Sequence, residues 1–345
     1  MSIIKAKAIA FTRPLHAEFC SNVCMPKMDD DGVLIRTEYS TISRGTELDL
    51  YTGQMHGRGM DTQWYPMLPG YMPVGIVESV GKNIHHLKVG DRVVGSNLFN
   101  DFDSRYCPAW AGHTQYVVIS RASHPYLGGL RAVKVPEGIP PDQAGLAMLA
   151  GVAWHGVKEK VKPRLGDKVL VIGQGVIGLF AAQLCKAQGA QVIVADQYEN
   201  RLDFSRQNGL ANTLQCEKGN LVKAYMDYTD GERPSAVIEV TGEQEPLLQA
   251  LELVRPYGIV HAQGMYLDAA PPNILRILFN KNLTLSCTVG ETPELTQETL
   301  AMMADGKITS RGLISAVSEP AQAGDVYEAV YQHPDRYMTC AFKWN

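Results

Sequence analysis

The clearest chemical spacing in this chain is Gly173-Gln174-Gly175-Val176-Ile177-Gly178. It follows the apolar run 168–172 (KVLVI) and opens a stretch, 178–188, whose apolar residues fall at helical spacing. Asp196 closes the next apolar run (QVIVA), 18 residues beyond Gly178. Strand, glycine turn, helix and acidic residue in that order form a dinucleotide-binding fingerprint. Gly173 makes the tight turn, Gly175 lets the backbone approach a pyrophosphate, and Gly178 lets helix and strand pack closely. Val176 and Ile177 open the helix, whose amides and positive dipole end attract phosphate. Asp196 is expected to accept the adenosine ribose hydroxyls and to repel a 2′-phosphate, which favours NAD(H). The competing reading is a glycine-rich turn with an acidic strand end and no ligand. Arg201 either stacks near the adenine or is solvated. Thr241, with Gly242, and Gly264 and Met265, with Gln263, follow later strands at the ends where ligands of open sheets bind. They are candidates for the nicotinamide side, although a plain turn explains them nearly as well.

These residues need a scaffold, and the chain supplies two kinds. The first half reads as short β-branched strands, 33–39, 75–80, 92–95 and 115–119, bounded by Gly, Pro, Asp or Asn. From about residue 155 the pattern changes to continuous apolar runs (168–172, 191–195, 236–240, 258–262) alternating with helical stretches such as 246–253. Such alternation means βαβ units and a parallel sheet. After a strand at 283–289 comes a helical stretch, 295–306, and a mixed tail too short to be a domain. The tail is expected to pack on the N-terminal part. The fold class is therefore α/β: a doubly wound parallel-sheet domain, 155–289, inserted in a β-rich domain, 1–154 plus 290–345.

Composition excludes several functions. The 345 residues suit about two domains, and 45% hydrophobic with 20% charged residues is ordinary for globular chains. A net charge of −4 offers no footprint for nucleic acid or an anionic membrane. No apolar run approaches the ~20 residues of a bilayer span, and the opening residues MSIIKAKAIAF do not show a basic n-region followed by a long apolar h-region. Seven cysteines, an odd number, argue against a disulfide framework. Cys20 and Cys24, spaced CxxxC without a second pair, read as packed or surface thiols. The expectation is a soluble cytoplasmic protein with a small-molecule partner.

The chain resembles the medium-chain dehydrogenase/reductase superfamily over nearly its whole length. The likeness runs through Pro69-Gly70-Tyr71, Val74-Gly75-Ile76-Val77, Val80-Gly81, Val89-Gly90-Asp91-Arg92-Val93, the Gly173–Gly178 turn and Gly306-Lys307-Ile308. It implies a GroES-like catalytic domain around a Rossmann domain, an active site in the cleft between them, and a homodimer or homotetramer. In such dimers a strand matching 283–289 commonly pairs across the two-fold axis, covering an open sheet edge.

The departures from that pattern are chemical. Where zinc-dependent members hold zinc, the matching positions are Ser43, Tyr71-Met72 and Met148, and zinc wants thiolate, imidazole or carboxylate. The structural zinc lobe, four cysteines near 97–111, is reduced to Cys107. No zinc is expected. Ser43-Arg44-Gly45-Thr46-Glu47 with Tyr65-Pro66-Met67-Leu68-Pro69-Gly70-Tyr71 is similar to a zinc-lacking group that includes 3-hydroxyethyl bacteriochlorophyllide a dehydrogenases. Without a metal, a side chain must move the hydroxyl proton. Tyr71 is a candidate acid/base or a wall residue. Glu47 is a base, an orienting group, or a partner of Arg44. Ser43 and Thr46 form a hydroxyl relay or satisfy turn amides. His155 and His113 read as structural and His85 and His86 as solvated, while His56 could reach substrate. The aromatic stretches 55–67, with Met60, Trp64 and Tyr65, and 99–110, with Phe102, Tyr106 and Trp110, line a cleft or pack a core.

These observations point to a zinc-independent, NAD(H)-dependent oxidoreductase for a secondary alcohol (a sugar, polyol or tailoring-pathway intermediate) and its ketone. Two alternatives stay open. One is reduction of a conjugated C=C, as in enoyl and quinone reductases, which mostly use NADPH and so sit poorly with Asp196. The other is a catalytically silent NAD(H)-binding protein.

Overall fold

The computed structural model describes residues 4–55, 65–95, 103–120, 130–266 and 273–344. His56, Met60, Trp64, Phe99 and Phe102 lie outside them. The chain forms two compact units: one holds the residues up to Met148, Thr292–Ala304 and those from Leu313 onward; the other holds Leu149–Glu291 and Asp305–Gly312. The division differs from the sequence expectation at its edges. It falls inside the helix Leu146–Gly156. Residues 305–312 join the second unit because the Gln183 amide clasps the Thr309 backbone at 3.0 and 2.8 Å and Asn208 donates to the Arg311 carbonyl at 3.3 Å.

The first unit is built on β1 (Lys5–Arg13), β2 (His16–Cys24), β3 (Gly32–Thr41), α1 (Arg44–Thr52), β4 (Met67–Leu68), β5 (Pro73–Val80), β6 (Arg92–Gly95), β7 (Cys107–Pro108), β8 (Tyr116–Ser120), β9 (Ala132–Lys134) and α2 (Pro141–Ala144). Two sheets result. One has the order β2-β1-β4-β7; in the other β3 pairs with β5 and β8, and β6 and β9 follow in turn beyond β5. Ala8, Ile9, Ala10 and Phe11 of β1 are all buried because the strand is covered on both faces, Ala8 and Ala10 packing in one core and Ile9 and Phe11 in another.

The second unit begins in α3 (Leu146–Gly156), which runs into a π-helical turn, Val157–Val161. It continues with β10 (Lys168–Ile172), α4 (Val176–Ala187), β11 (Gln191–Asp196), α5 (Glu199–Gln207), β12 (Thr213–Gln215), α6 (Leu221–Tyr228), β13 (Ala236–Glu239), α7 (Gln244–Leu253), β14 (Ile259–Ala262), α8 (Ile274–Lys281) and β15 (Thr284–Cys287). All neighbours in its sheet are parallel, in the order β12-β11-β10-β13-β14-β15. That is the Rossmann doubly wound order, with the reversal between β10 and β13. Continuous apolar runs are what such a sheet demands, because helices cover both faces; Val169, Leu170 and Val171 are accordingly buried.

The chain then returns to the first unit through α9 (Pro293–Ala304), β16 (Ile314–Ser318), α10 (Ala323–Gln332) and β17 (Thr339–Lys343). β17 pairs antiparallel with the end of β3, Phe342 opposite Ser40. Phe342 and Tyr327 complete a core with Phe11 and Tyr51, in which the Phe11 and Tyr327 rings meet edge to face at 4.8 Å. The tail thus supplies core residues to the GroES-like unit.

Candidate functional site

In the second unit the glycine turn has the conformation its sequence requires. Gly173 sits at φ +91°, and its N–H donates to the Ala195 carbonyl at 2.8 Å. A Cβ on Gly178 would stand 1.8 Å from the Gly173 carbonyl oxygen, so only glycine lets α4 start this close to β10. A Cβ on Gly175 would meet nothing within 4 Å, so its backbone faces open space at the N-terminus of α4. Val176 and Ile177 occupy the first turn, whose amides have no acceptor within the helix. A dinucleotide pyrophosphate fits that combination of open glycine backbone and unsatisfied amides.

Asp196, at the end of β11, is buried. Its Oδ2 accepts the Gln174 N–H at 2.6 Å and its Oδ1 the Tyr198 N–H at 2.9 Å. The carboxylate thereby ties the glycine turn to the next one, and each oxygen keeps a second lone pair for a ribose hydroxyl. Arg201 is not solvated: its guanidinium stacks over the Tyr198 ring at 4.8 Å, with Nη1 3.6 Å from Asp196 Oδ2. Gln174, the first variable residue of the motif, is buried and accepts the Ser205 hydroxyl at 3.0 Å, a role sequence reading did not assign. Thr241 packs on the glycine turn; a Cβ on Gly173 would lie 3.0 Å from its methyl group. Gly264 packs in turn on Gly242, and Met265 beside it is 40% exposed. The ten candidate cofactor residues thus share the carboxyl-end side of one parallel sheet.

In the first unit Ser43, Glu47 and Tyr71 come together. Ser43 is the N-cap of α1, yet its hydroxyl makes no cap bond. It accepts instead from the Tyr71 phenol at 2.6 Å. Capping falls to Glu47, whose Oε1 accepts the Ser43 N–H at 2.8 Å. The other carboxylate oxygen accepts the Tyr327 phenol at 2.5 Å and His113 Nε2 at 2.9 Å. His113 Nδ1 lies 2.7 Å from the Ser40 hydroxyl, which accepts the Trp344 indole N–H at 2.9 Å. With Ser40 donating to Nδ1, Nε2 carries the ring proton and donates to Glu47. Burial, reinforced by the Glu47 carboxylate, holds the Tyr327 phenol well above its ordinary value.

Glu47 and His113 have no exposed side-chain surface. The carboxylate therefore lies behind Ser43, whose amide it accepts, and His113 is its buried basic partner. Tyr71 is half-buried beside Trp110, ring centres 5.4 Å apart. The two loops that carry them are laced together, Gly112 N–H to the Gly70 carbonyl at 2.6 Å and His113 N–H to Pro69 at 3.1 Å. Gly70 is at φ +97°, and a Cβ there would strike His113 N at 2.6 Å. His155 donates to or accepts from nothing reactive in the hydrogen bonds seen for it; its Nδ1 pairs with the Gly290 carbonyl at 3.0 Å.

The zinc-matching positions do not suit zinc. Ser43 and Tyr71 are bonded to each other, Met72 and Met148 offer buried thioethers, and Glu47 is committed to three donors. Among the described residues no group of three or more His, Cys, Asp or Glu could hold a metal ion.

Two family models match the chain: the alcohol dehydrogenase GroES-like domain over residues 29–137 and the zinc-binding dehydrogenase domain over 176–305. An L-threonine 3-dehydrogenase of Vibrio cholerae is 26% identical over 287 residues, 81% of each chain. A D-xylulose reductase of Morganella morganii is 26% identical over 323 residues, 90% of this chain and 93% of the relative. Among solved structures, the alcohol dehydrogenase TADH of Thermus sp. ATN1 shares the fold with a TM-score of 0.81 at 24% identity, over 98% of this chain and 100% of that one. The chain belongs to the medium-chain dehydrogenase/reductase superfamily of oxidoreductases.

Proposed function

We propose that the chain is an NAD(H)-dependent oxidoreductase that interconverts a secondary alcohol, of the sugar, polyol or tailoring-intermediate kind, and its ketone without zinc. The observation that carries this reading is the Tyr71 phenol 2.6 Å from the Ser43 hydroxyl, at the positions matching zinc ligands. The names of its relatives, a threonine 3-dehydrogenase and a xylulose reductase, support chemistry at a secondary carbon. Asp196, lying against the glycine turn, supports NAD(H) over NADP(H).

When bound, nicotinamide supplies the hydride to the carbonyl carbon or takes it from the carbinol carbon. Moving the proton falls to the chain. In reduction the Tyr71 O–H donates to the oxygen as negative charge develops there, and the Ser43 hydroxyl stabilises the phenolate until solvent returns the proton. In oxidation the order reverses: the Tyr71 phenol first gives its proton to solvent, and the phenolate, held by the Ser43 hydroxyl, takes the substrate's hydroxyl proton. Glu47 holds Ser43 in place by its backbone amide and takes no proton from substrate. A homodimer that pairs β15, and a reducing cytoplasm suited to seven free thiols, complete the reading.

The test is steady-state turnover of D-xylulose with NADH or NADPH, and of xylitol, 2,3-butanediol and L-threonine with NAD+ or NADP+, before and after a chelator. The expected result is NADH preference and activity that survives chelation. Tyr71→Phe should lower kcat by about 10²–10³-fold and Ser43→Ala by about tenfold, with NADH affinity unchanged. Chelator-sensitive turnover restored by zinc would overturn zinc independence. NADPH preference would favour reduction of a conjugated C=C, and nucleotide binding without turnover would favour a silent binder.

A further inference from the structure

Glu239 ends β13 and has no exposed surface, yet nothing in the proposed chemistry uses it. Its carboxylate accepts the Thr241 N–H at 2.7 Å, the Thr241 hydroxyl, the Gly242 N–H at 3.2 Å and the Tyr266 phenol. Its own carbonyl accepts the N–H groups of Gln263 at 2.8 Å and Gly264 at 3.1 Å. Both turns that leave β13 and β14 therefore hang on one residue. The turns touch backbone to backbone: a Cβ on Gly242 would stand 2.6 Å from the Met265 carbonyl oxygen, and one on Gly264 would stand 2.3 Å from the Gly242 nitrogen.

A buried carboxylate is costly unless donors replace its water, and here several are aimed at it. Burial pushes the Glu239 carboxyl up, while the Thr241 and Tyr266 hydroxyls and the two amides pull it back. An apolar residue would fill the same space without that cost. A carboxylate adds a set of directional bonds that leaves the two turns a single arrangement. They stand at the carboxyl ends of parallel strands, next to the Gly173 turn, where ligands of open sheets bind.

We propose that Glu239, with Tyr266, is the positioning residue for the nicotinamide half of the cofactor, holding the 241–242 and 263–265 turns in the geometry that receives it. The inference rests on the nicotinamide-dependent reading above. Glu239 touches no reacting atom; it acts through the backbone of the two turns. The glycine turn, Asp196 and Arg201 serve the pyrophosphate and adenosine half and owe their geometry to other bonds.

The test compares NADH with ADP-ribose, which lacks nicotinamide, by fluorescence and calorimetric titration of the full chain. Glu239→Gln keeps the shape but turns one acceptor into a donor facing Gly242 N–H. Expected is about a tenfold loss of NADH affinity with ADP-ribose affinity held within about twofold, and a smaller NADH-specific loss for Tyr266→Phe. Equal losses for both ligands, or no loss for either, would overturn the proposal. Should Glu239→Gln fail to fold, Tyr266→Phe, which removes one donor of several, decides by the same ratio. If the unaltered protein binds neither ligand, the nucleotide reading falls and this inference with it. If it binds ADP-ribose as tightly as NADH, only the inference falls.

Discussion

Glu47 has no solvent-exposed surface, and a carboxylate survives there only because donors stand in for water. Ser43 and Tyr71 were recognisable as chemical candidates beside it because each lies in a short, distinctive segment. Its other partners were not: His113 is 66 residues away and Tyr327 is 280, and no local pattern predicts that two remote segments close on one side chain. Tyr225 shows the opposite case, a buried phenol whose oxygen has no hydrogen-bond partner among the described residues. Burial pushes its pKa from 10.0 up to about 12. Below pH 10 both folded and unfolded chains keep the proton, and that contribution to stability is fully present. As the pH rises toward 12 the unfolded chain loses its proton first, the folded state binds more protons, and stability falls. Tyr225→Phe should therefore stabilise the second unit by up to about 1 kcal/mol at pH 7 and flatten its alkaline decline. Urea unfolding at pH 7 and at several values above 10 checks both; a clear loss of stability at pH 7 would mean the hydroxyl is satisfied after all.

At the scale of elements, legibility followed locality. The β10–turn–α4 unit was readable because its signals are contiguous, and it makes a sharp prediction. Gly175→Ala places a methyl group where nothing stands within 4 Å, at an extended φ of −75° that any residue adopts. Thermal stability should be unchanged, while NADH affinity falls about tenfold or more because the methyl group occupies the pyrophosphate's approach. Gly178→Ala drives a Cβ to 1.8 Å from the Gly173 carbonyl and should cost about 1–3 kcal/mol of stability as well as binding. Melting curves beside NADH titrations separate the two; a stable Gly175→Ala protein with full NADH affinity would move the pyrophosphate elsewhere. Helix α1 was not expected in a β-rich half. Its sequence, RGTELDLYT, contains Gly45 and two β-branched threonines, so intrinsic propensity is weak. Tertiary contacts decide the matter: Leu50 and Tyr51 are buried, Glu47 caps the helix start, and Gly53 at φ +78° ends it. The β1–β2 hairpin also went unread, because its turn carries Leu15 at φ +60° instead of an Asn-Gly or Asp-Gly pair.

At the scale of the molecule, no helix among the described residues is long and apolar enough to cross a membrane. The parallel sheet of the second unit ends at β15, whose outer residues Thr284 and Cys287 are exposed. Under the proposed dimer, a second copy adds its own β15 there. Light scattering should then give about twice 37.9 kDa, and Thr284→Asp with Cys287→Asp, which sets like charges across the strand pair, should return the mass to 37.9 kDa. A monomeric unaltered protein would refute that assembly. The sequence by itself determined the Rossmann unit, the glycine turn between β10 and α4, the acidic residue that closes β11, and the residues standing at the positions matching zinc ligands. Those properties rest on neighbours in the chain and on the chemistry of single side chains. Only the tertiary structure decided what Glu47 and Glu239 do. A buried carboxylate is defined by the donors around it, and these come from strand ends, loops and a C-terminal tail that meet only after the chain has folded.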